Sequence, residues 1–369
     1  MRSLQKIFAS ILCLFAFDVH GQQAPVLVNT NVTIRVVAAN TTSGNGQSYE
    51  TPGLNIFKGV KPDIVAIQEF NYASDSAADI RFMVTNTFGT NFVYYRESGY
   101  SIPNGIISRY PIKFSGSWID SDTGVNDRGF AWAQIDLPGT NDLYVVSVHL
   151  KASGGTSDAN RRTAQANEIT SLIASNFPAN AWIIVAGDMN LFSETEGAIT
   201  KFKTYLSDTP VPADQNGDPD TNAGRNERYD RVLPNFAFNT NRVATVIGSR
   251  TFANGLVFDS RIYTPLSEVA PVVSTDSGVS GMQHMAVVKD FRVNYTVTNF
   301  ITVPPPLLVF DSTNIVRWHG ISNVSYSVQA STNLPVFTTV GSVISQTTNL
   351  SFTNPSSGFE KRFFRVVIP

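Results

Sequence analysis

The segment WIIVAGDMN, residues 182–190, decides the fold of this chain. Its first five residues are apolar and rich in β-branched side chains, which predicts a buried strand. Asp188 and Asn190 come directly after this run, and the carboxyl ends of strands are where α/β sheets place their ligand sites. The segment therefore predicts an α/β domain with a functional site at one edge of a sheet.

Three other apolar runs end in the same way. Each is followed by a polar residue of a type that catalysis uses: Val32–Ala39 by Asn40, Ile64–Ile67 by Gln68 and Glu69, and Tyr144–Val148 by His149. One such residue is usually a cap or a turn residue, whereas four of them in this order point to a shared site. Helical patterns over Ala77–Phe88 and Ala159–Ser175 lie between the strands, and this alternation predicts a layered α/β domain.

The composition limits the class of protein. The chain has 369 residues, of which 42% are hydrophobic and 15% charged, so it can bury a large core and is not a disordered chain. Its formal net charge of −2 excludes a broad basic face that would hold nucleic acid by charge alone. The single cysteine, Cys13, excludes a disulfide framework and a cysteine-rich zinc module.

Residues 1–21 have the pattern of a signal peptide. Arg2 and Lys6 precede the apolar stretch Ile7–Phe17, which at about 11 residues is shorter than the roughly 20 that a membrane-spanning helix needs. We expect cleavage near Gly21, which would give a secreted, periplasmic or cell-surface protein without cysteine. A buried N-terminal helix or strand is the alternative interpretation.

A proline-rich linker, residues 299–306, is predicted to separate the α/β domain, residues 22–298, from a C-terminal module, residues 307–369. The module has short strand-like runs between Asn, Ser and Gly residues, which predicts a small all-β, sandwich-like domain. Its segment YSVQASTNL, residues 326–334, resembles C-terminal β modules of exported bacterial proteins. That resemblance implies a binding, spacing or sorting role, such as contact with a cell-surface or extracellular ligand, and we expect a monomer.

The polar residues at the strand ends, together with others along the chain, form a set that resembles the endonuclease/exonuclease/phosphatase superfamily. The resemblance covers about residues 32–293. It implies a four-layer α/β sandwich, in which two packed mixed β-sheets are flanked by helices. The matching residues, in chain order, are Asn40, Glu69, Asn104, His149, Asp188, Asn190, Asp230 and His284.

The resemblance also implies how the catalytic residues act in the hydrolysis of a phosphate ester. Asp188 would orient and deprotonate the attacking water, and Asn190 would hold that water or a phosphoryl oxygen. His284, paired with Asp230, would stabilise the pentacovalent phosphate or donate a proton. His149 would be a second histidine that faces the phosphate.

The same resemblance implies a cofactor and contacts with the substrate. Glu69 and Asn40 would be ligands of a divalent cation, for which Mg²⁺ is the first choice and Mn²⁺ or Ca²⁺ are alternatives. Arginine binds phosphate in a bidentate manner, so arginines near the motifs are candidates for the rim of the site. The candidate substrate-binding residues are Asn104, Arg128, Arg161, Asn222 and Arg225.

Two segments depart from the patterns that they resemble. The superfamily usually has Ser-Asp-His before its last strand, whereas this chain has Gln283 in place of the aspartate, with Asp276 as the nearest substitute carboxylate. Residues 214–220 are spaced like the start of a calcium loop, but Pro219 and Arg225 occupy the positions of the expected glycine and glutamate, which favours a polar surface loop.

These features predict an exported, divalent-metal-dependent phosphoesterase, with endonuclease activity on DNA or RNA as the first hypothesis. The segment YDRVLP, residues 229–234, resembles the nuclease branch of the superfamily. A sphingomyelinase-like enzyme, a phosphatase or phosphodiesterase of small molecules, and a non-catalytic surface-binding protein are the alternatives. The sequence has no clear apolar hairpin with which a sphingomyelinase would meet a membrane.

Overall fold

The computed structural model describes residues 22–40, 50–121, 125–303, 307–312, 315–334, 336–344, 346–354 and 363–369. The predicted signal peptide, residues 1–21, and the three prolines of the predicted linker, residues 304–306, lie outside the described residues. None of the helices in the described ranges is both long and apolar enough to cross a membrane.

The elements of the described chain are numbered in chain order. The helices are α1 (Glu50–Val60), α2 (Ala77–Phe88), α3 (Thr156–Asn176), α4 (Gly197–Phe202) and α5 (Phe236–Asn239), with short 3-10 helices at Leu266–Val269 and Asp276–Gly278. The strands of the α/β domain are β1 (Gln22–Ala39), β2 (Ile64–Ile67), β3 (Val93–Arg96), β4 (Gly105–Ser108), β5 (Ile112–Trp118), β6 (Phe130–Ile135), β7 (Leu143–His149), β8 (Trp182–Asp188), β9 (Asp230–Pro234), β10 (Arg242–Val243), β11 (Thr245–Ile247), β12 (Arg250–Phe252), β13 (Leu256–Phe258) and β14 (Ala286–Val303). The strands of the C-terminal module are β15 (Val309–Ser312), β16 (Ile315–His319), β17 (Ser325–Ser331), β18 (Thr338–Ile344), β19 (Asn349–Thr353) and β20 (Phe363–Val367).

The structure confirms the strands and helices that the apolar patterns predict. β2 and α2 have the predicted bounds, and α3 begins at Thr156 rather than at residue 159. Helix α1 was not predicted, because Gly53 and Gly59 lower its helix propensity. It forms because Leu54, Phe57 and Val60 lie on one buried face, so tertiary packing outweighs local propensity.

Two mixed sheets form the α/β domain. Among the described residues, the first sheet has the order β10-β14-β1-β2-β4-β3, with β13 also paired to β14, and the second has the order β5-β6-β7-β8-β9. β1 and β2 are parallel, as are β7 and β8, whereas β9 is antiparallel to β8. The parallel pairs bring the carboxyl ends of their strands to a common edge.

Successive residues of each strand face different layers. On β1, Val36 and Ala38 lie in the core between the two sheets, whereas Val37 and Ala39 face α1 and α2. The second sheet alternates in the same way, with its outer face packed against α3 and α4. The layers are therefore helices, sheet, sheet and helices, which confirms the predicted four-layer sandwich.

The C-terminal module contains only strands in its described residues. Its two sheets have the orders β15-β16-β19 and β18-β17-β20, and its own apolar core includes Val316, Trp318, Tyr326 and Leu350. This all-β module agrees with the prediction. The described chain divides into two compact units. Residues 31–295 form one unit, and residues 22–30 belong with residues 296–369 to the other. The predicted boundary at residue 298 lies inside β14.

Candidate active site

The strand ends of both sheets bring the predicted catalytic residues to one edge of the sandwich. In the second sheet, His149 at the end of β7 is in register with Asp188 at the end of β8, and Asp188 is in register with Asp230 at the start of β9. In the first sheet, Asn40 and Glu69 follow the paired ends of β1 and β2. The packing of the two sheets then places these two groups together.

One carboxylate oxygen, Oδ2 of Asp188, lies at the centre of the site. It accepts a hydrogen bond from Asn40 Nδ2 at 3.2 Å, and it lies 3.3 Å from His149 Nε2 and 3.5 Å from His284 Nε2. Asn40 Nδ2 also donates to Glu69 Oε1 at 3.2 Å. The structure thus connects Asn40, Glu69, His149, Asp188 and His284 through contacts of 3.5 Å or less that centre on Asp188 and Asn40.

The backbone after β8 fixes the orientation of Asp188. Its Oδ1 accepts a hydrogen bond from the backbone N–H of Asn190 at 2.9 Å, and Asn190 has a left-handed φ of 48°. Asn190 Nδ2 donates to the Leu150 carbonyl at 3.2 Å. Gly187 has a φ of 138°, and a Cβ at this position would collide with the carbonyl of Val148. A glycine is therefore required for Asp188 to reach the site.

His284 and Asp230 form a buried ion pair. His284 Nδ1 lies 2.9 Å from Asp230 Oδ2, and Thr221 Oγ1 donates to the same oxygen at 3.0 Å. Burial acts to lower the pKa of His284, but the charges of Asp230 and Asp188 outweigh it and raise this pKa to about 9. His284 is therefore an imidazolium at neutral pH, with Nδ1 on Asp230 and Nε2 directed at the centre of the site.

His149 has the opposite charge state. Burial lowers the pKa of His149 to about 3, which the charge of Asp188 only partly offsets, so the ring is neutral at neutral pH. The carbonyls of His149 and Leu150 accept hydrogen bonds from the Arg128 guanidinium, at 2.7 Å from Nε and 3.2 Å from Nη2. Arg128 was predicted to contact the substrate, but its buried guanidinium instead fixes the backbone that carries His149.

The other two predicted substrate-binding arginines have different settings. Arg225 forms ion pairs with Asp214 at 2.9 Å, Asp218 at 3.2 Å and Asp259 at 2.7 Å, so its charge organises the loop 214–228. The carboxylates of Asp214 and Asp218 in that loop are therefore paired with an arginine. Arg161 lies on α3, where it lines an open depression of about 500 Å³ whose lining includes none of the site residues.

The two predicted substrate-binding asparagines have different settings. Asn104 is fully buried, and its Nδ2 donates to the carbonyl of Gly129 at 2.7 Å, so it joins two strands of the core. Asn222 forms a backbone bridge with His284 and accepts hydrogen bonds from the backbone of Asn226 and Glu227 at 2.9 and 3.1 Å. Asn222 is therefore beside the site, and the amide nitrogen of Asn104 is fixed by the backbone of Gly129.

Asp276, the predicted substitute for the carboxylate missing at Gln283, is engaged elsewhere. The Gln283 side chain is exposed, and Asp276, the predicted substitute, is buried under α1. Asp276 Oδ2 accepts hydrogen bonds from Val273 N at 3.0 Å and from Asn55 Nδ2 at 3.4 Å. Asp276 thus stabilises the packing of its own loop and is not a substitute for the missing aspartate.

Some supporting residues were not predicted. Thr221 fixes the Asp230 carboxylate, and the Gln68 amide donates to Ser147 Oγ at 2.9 Å, which joins the two sheets beneath the site. A buried threonine far from any motif has no signal in a single sequence. Gln68 lies next to Glu69 at the end of a predicted strand. No pattern in the neighbouring sequence indicated that its side chain reaches Ser147 on β7.

The donor atoms fit a hard divalent cation. Glu69 is only partly buried and, among the described residues, has no arginine or lysine partner. The amide of Asn40 can present its oxygen after a half-turn, and the carboxylates of Asp188 and Asp230 lie with His284 in a compact buried cluster. Carboxylate and amide oxygens are the ligands that Mg²⁺ and Ca²⁺ prefer, so the residues fit such an ion.

Comparisons with known proteins identify the family of this chain. The model of the endonuclease/exonuclease/phosphatase family matches residues 54–252, more than half of the chain. No curated protein matches the chain.

Several solved structures are similar. An endonuclease/exonuclease/phosphatase from Beutenbergia cavernae is 12% identical with a TM-score of 0.47, over 91% of this chain and 100% of that one. The catalytic domain of human nocturnin is 14% identical with a TM-score of 0.49, over 74% and 98%. Sphingomyelinase C from Streptomyces griseocarneus is 16% identical with a TM-score of 0.47, over 70% and 99%. With the family model matched over most of the α/β domain, this chain belongs to the endonuclease/exonuclease/phosphatase family.

Proposed function

We propose that this protein is a divalent-metal-dependent endonuclease that hydrolyses phosphodiester bonds of DNA or RNA by in-line attack of water. The family consists of phosphoric ester hydrolases, so the broad reaction class follows from membership. The observation that carries the proposal is the arrangement around Asp188 Oδ2, where two histidines and Asn40 lie within 3.5 Å of one ionised oxygen.

Glu69 and Asn40 would hold the metal ion, and Asp188 lies close enough to contribute to its surroundings. Mg²⁺ is the ion that we propose, because the donors are oxygens and a site with few protein ligands suits an ion that keeps several waters. When bound, it supplies positive charge to the phosphoryl oxygens and to the leaving oxygen. Gln283 adds no negative charge there.

The protein residues have distinct roles in this proposal. Asp188, whose pKa the positive charge of His284 lowers despite its burial, is ionised and orients the attacking water. The His284 imidazolium, held by Asp230, directs its Nε2 proton to a phosphoryl oxygen and stabilises the charge that develops there. Neutral His149 donates a further hydrogen bond without adding charge.

Nucleic acid is the proposed substrate, although the arginines contribute little to its binding. Arg231, from the nuclease-like segment, is buried and pairs with Asp208 at 2.7 Å, and Arg228 pairs with the same carboxylate at 2.9 Å. These two arginines are therefore already neutralised and would release few counterions from a phosphate backbone. We expect KM to rise only slowly with salt, with a slope of about +1 to +2 on logarithmic axes.

A plasmid-nicking assay tests the proposal directly. We expect cleavage with Mg²⁺ or Mn²⁺ that EDTA abolishes, and a loss of at least about 100-fold in rate for His149→Ala and Asp188→Ala. His319→Ala, in the C-terminal module, is the matched histidine control and should keep full activity. Sphingomyelin and small phosphate esters are assayed in parallel.

The parallel assays distinguish the alternative functions. Hydrolysis of sphingomyelin or of a small ester, without nicking, would replace the endonuclease by the corresponding enzyme. If no phosphate ester is hydrolysed with Mg²⁺, Mn²⁺ or Ca²⁺, the protein is a non-catalytic binding protein. We also propose export with cleavage near Gly21, which N-terminal sequencing of the secreted protein would test.

A further inference from the structure

Two aromatic side chains extend from the active site to its rim. Tyr229 directly precedes Asp230, and its ring centroid lies 6.0 Å from that of His284. Phe192 follows the turn that contains Asp188 and Asn190, and its ring centroid lies 5.2 Å from that of Tyr229. Phe192 is 37% exposed. The pair Phe192 and Tyr229, here called the aromatic ledge, therefore joins the catalytic imidazolium to an open aromatic surface.

The ledge is held rigidly. The backbone N–H of Phe192 donates to Glu196 Oε1 at 2.8 Å, and the guanidinium of Arg162 lies 5.3 Å from the Phe192 ring centroid. Arg162 is fully buried and is itself fixed by Glu196 at 2.8 Å and by the Lys151 carbonyl at 2.9 Å. A ring that is already fixed loses little entropy when a ligand stacks on it.

The charges around the ledge do not favour binding of a phosphate backbone there. Arg162 is engaged by Glu196, and Arg228 is engaged by Asp208. Glu227, whose charge acts on the Tyr229 hydroxyl, adds a carboxylate to this side of the site. The surface beside the catalytic histidine therefore offers aromatic area and a hydrogen-bond acceptor instead of free positive charge.

We propose that the aromatic ledge binds, by stacking, the nucleobase of the nucleotide that adjoins the scissile phosphate. This inference rests on the proposed nuclease function and names its substrate class: single-stranded or locally unpaired nucleic acid. A base in a duplex must leave its own stack before it can lie on a protein ring, whereas a base in a single strand is free to do so. Stacking tolerates any base, so the ledge confers preference for strand form and not for sequence.

The test compares two single-stranded oligonucleotides that differ only in whether a base or an abasic spacer adjoins the one cleavable linkage. The readout is the ratio of kcat/KM for the two substrates with Mg²⁺. We expect Phe192→Ala and Phe192→Leu to lower this ratio about tenfold, because one stacking contact is lost. Tyr229→Phe keeps the ring and should keep the ratio, as should Phe236→Ala, which removes another exposed phenylalanine.

Binding is measured separately from cleavage, so that failure of the ledge and failure of the nuclease function can be told apart. A phosphorothioate oligonucleotide that resists cleavage is titrated with Mg²⁺ present. If Phe192→Ala binds the base-bearing strand more weakly than the wild type does, and the abasic strand equally well, the stacking proposal is supported even when the wild type cleaves no substrate. If Phe192→Ala changes neither the ratio of kcat/KM for the two oligonucleotides nor the binding of the base-bearing strand, the stacking proposal is wrong. Loss of sphingomyelin hydrolysis in Phe192→Ala, with oligonucleotide binding intact, would also overturn it in favour of a lipid headgroup.

Discussion

Replacement of Lys289 by methionine should stabilise this protein at neutral pH. Lys289 lies on β14 and is only 1% exposed. Burial lowers the pKa of its amine from 10.5 to about 7, despite the opposing attraction of Asp208. It lines a cavity of about 10 Å³ whose wall is partly apolar, with Val257 and Val287, and partly charged, with Asp208 and Arg231. A methionine of similar length can occupy the same space and contact the two valines.

The magnitude follows from the two pKa values. Between about pH 10.5 and pH 7 the unfolded chain binds a proton that the folded protein does not, so the stability of the wild type falls as the pH decreases across this interval. At about 1.4 kcal/mol for each pH unit, the penalty reaches about 4 kcal/mol at pH 7 and is about 1 kcal/mol at pH 9.5. Lys289→Met removes this penalty, so its advantage should be largest at neutral pH.

Urea unfolding of the wild type and of Lys289→Met at pH 7, 8 and 9.5 measures the effect. The free energy of unfolding of the variant should exceed that of the wild type by several kcal/mol at pH 7, and the difference should shrink as the pH rises. Lys61→Met, at an exposed lysine, is the control and should show no such trend. A difference that does not vary with pH, or a less stable variant at pH 7, would refute the reasoning.

Four further substitutions test the site and its support. Asp230→Asn should lower kcat about 100-fold or more because His284 loses its ion-pair partner, and its melting temperature will show whether the fold is intact. Gly187→Ala should cost on the order of 3 kcal/mol in urea unfolding, because the glycine φ is positive and the new Cβ has no room. Arg225→Ala should destabilise by about 3 kcal/mol, since buried Asp214 loses its arginine and buried Asp259 keeps only its ion pair with Arg261, while the dependence of KM on salt stays the same; a flatter dependence would show that this arginine contacts phosphate. Gln283→Asp restores the usual carboxylate and should lower the Mg²⁺ concentration for half-maximal rate roughly tenfold; an unchanged or higher value would mean that Gln283 does not limit metal binding.

Long-range partners could not be predicted from the sequence. Arg128, Arg161 and Arg225 satisfied every local criterion for contact with phosphate. Their partners come from elsewhere in the chain, as with Arg225 and Asp259, which are 34 residues apart. The same limit applies to Asp276, which is close to Gln283 in sequence but lies under α1.

The sequence by itself determined the strands, the main helices, the layered fold and the order of the predicted catalytic residues at strand ends. These properties depend on periodicity and on the chemistry of residues next to each other, which a single sequence contains. Only the tertiary structure decided the charge states of the two histidines, the burial of Lys289 and the meeting of Phe192 with Tyr229. The physical reason is that pKa values and ring contacts depend on which side chains the packing of the two sheets brings within a few ångströms, and local pattern does not encode that distance.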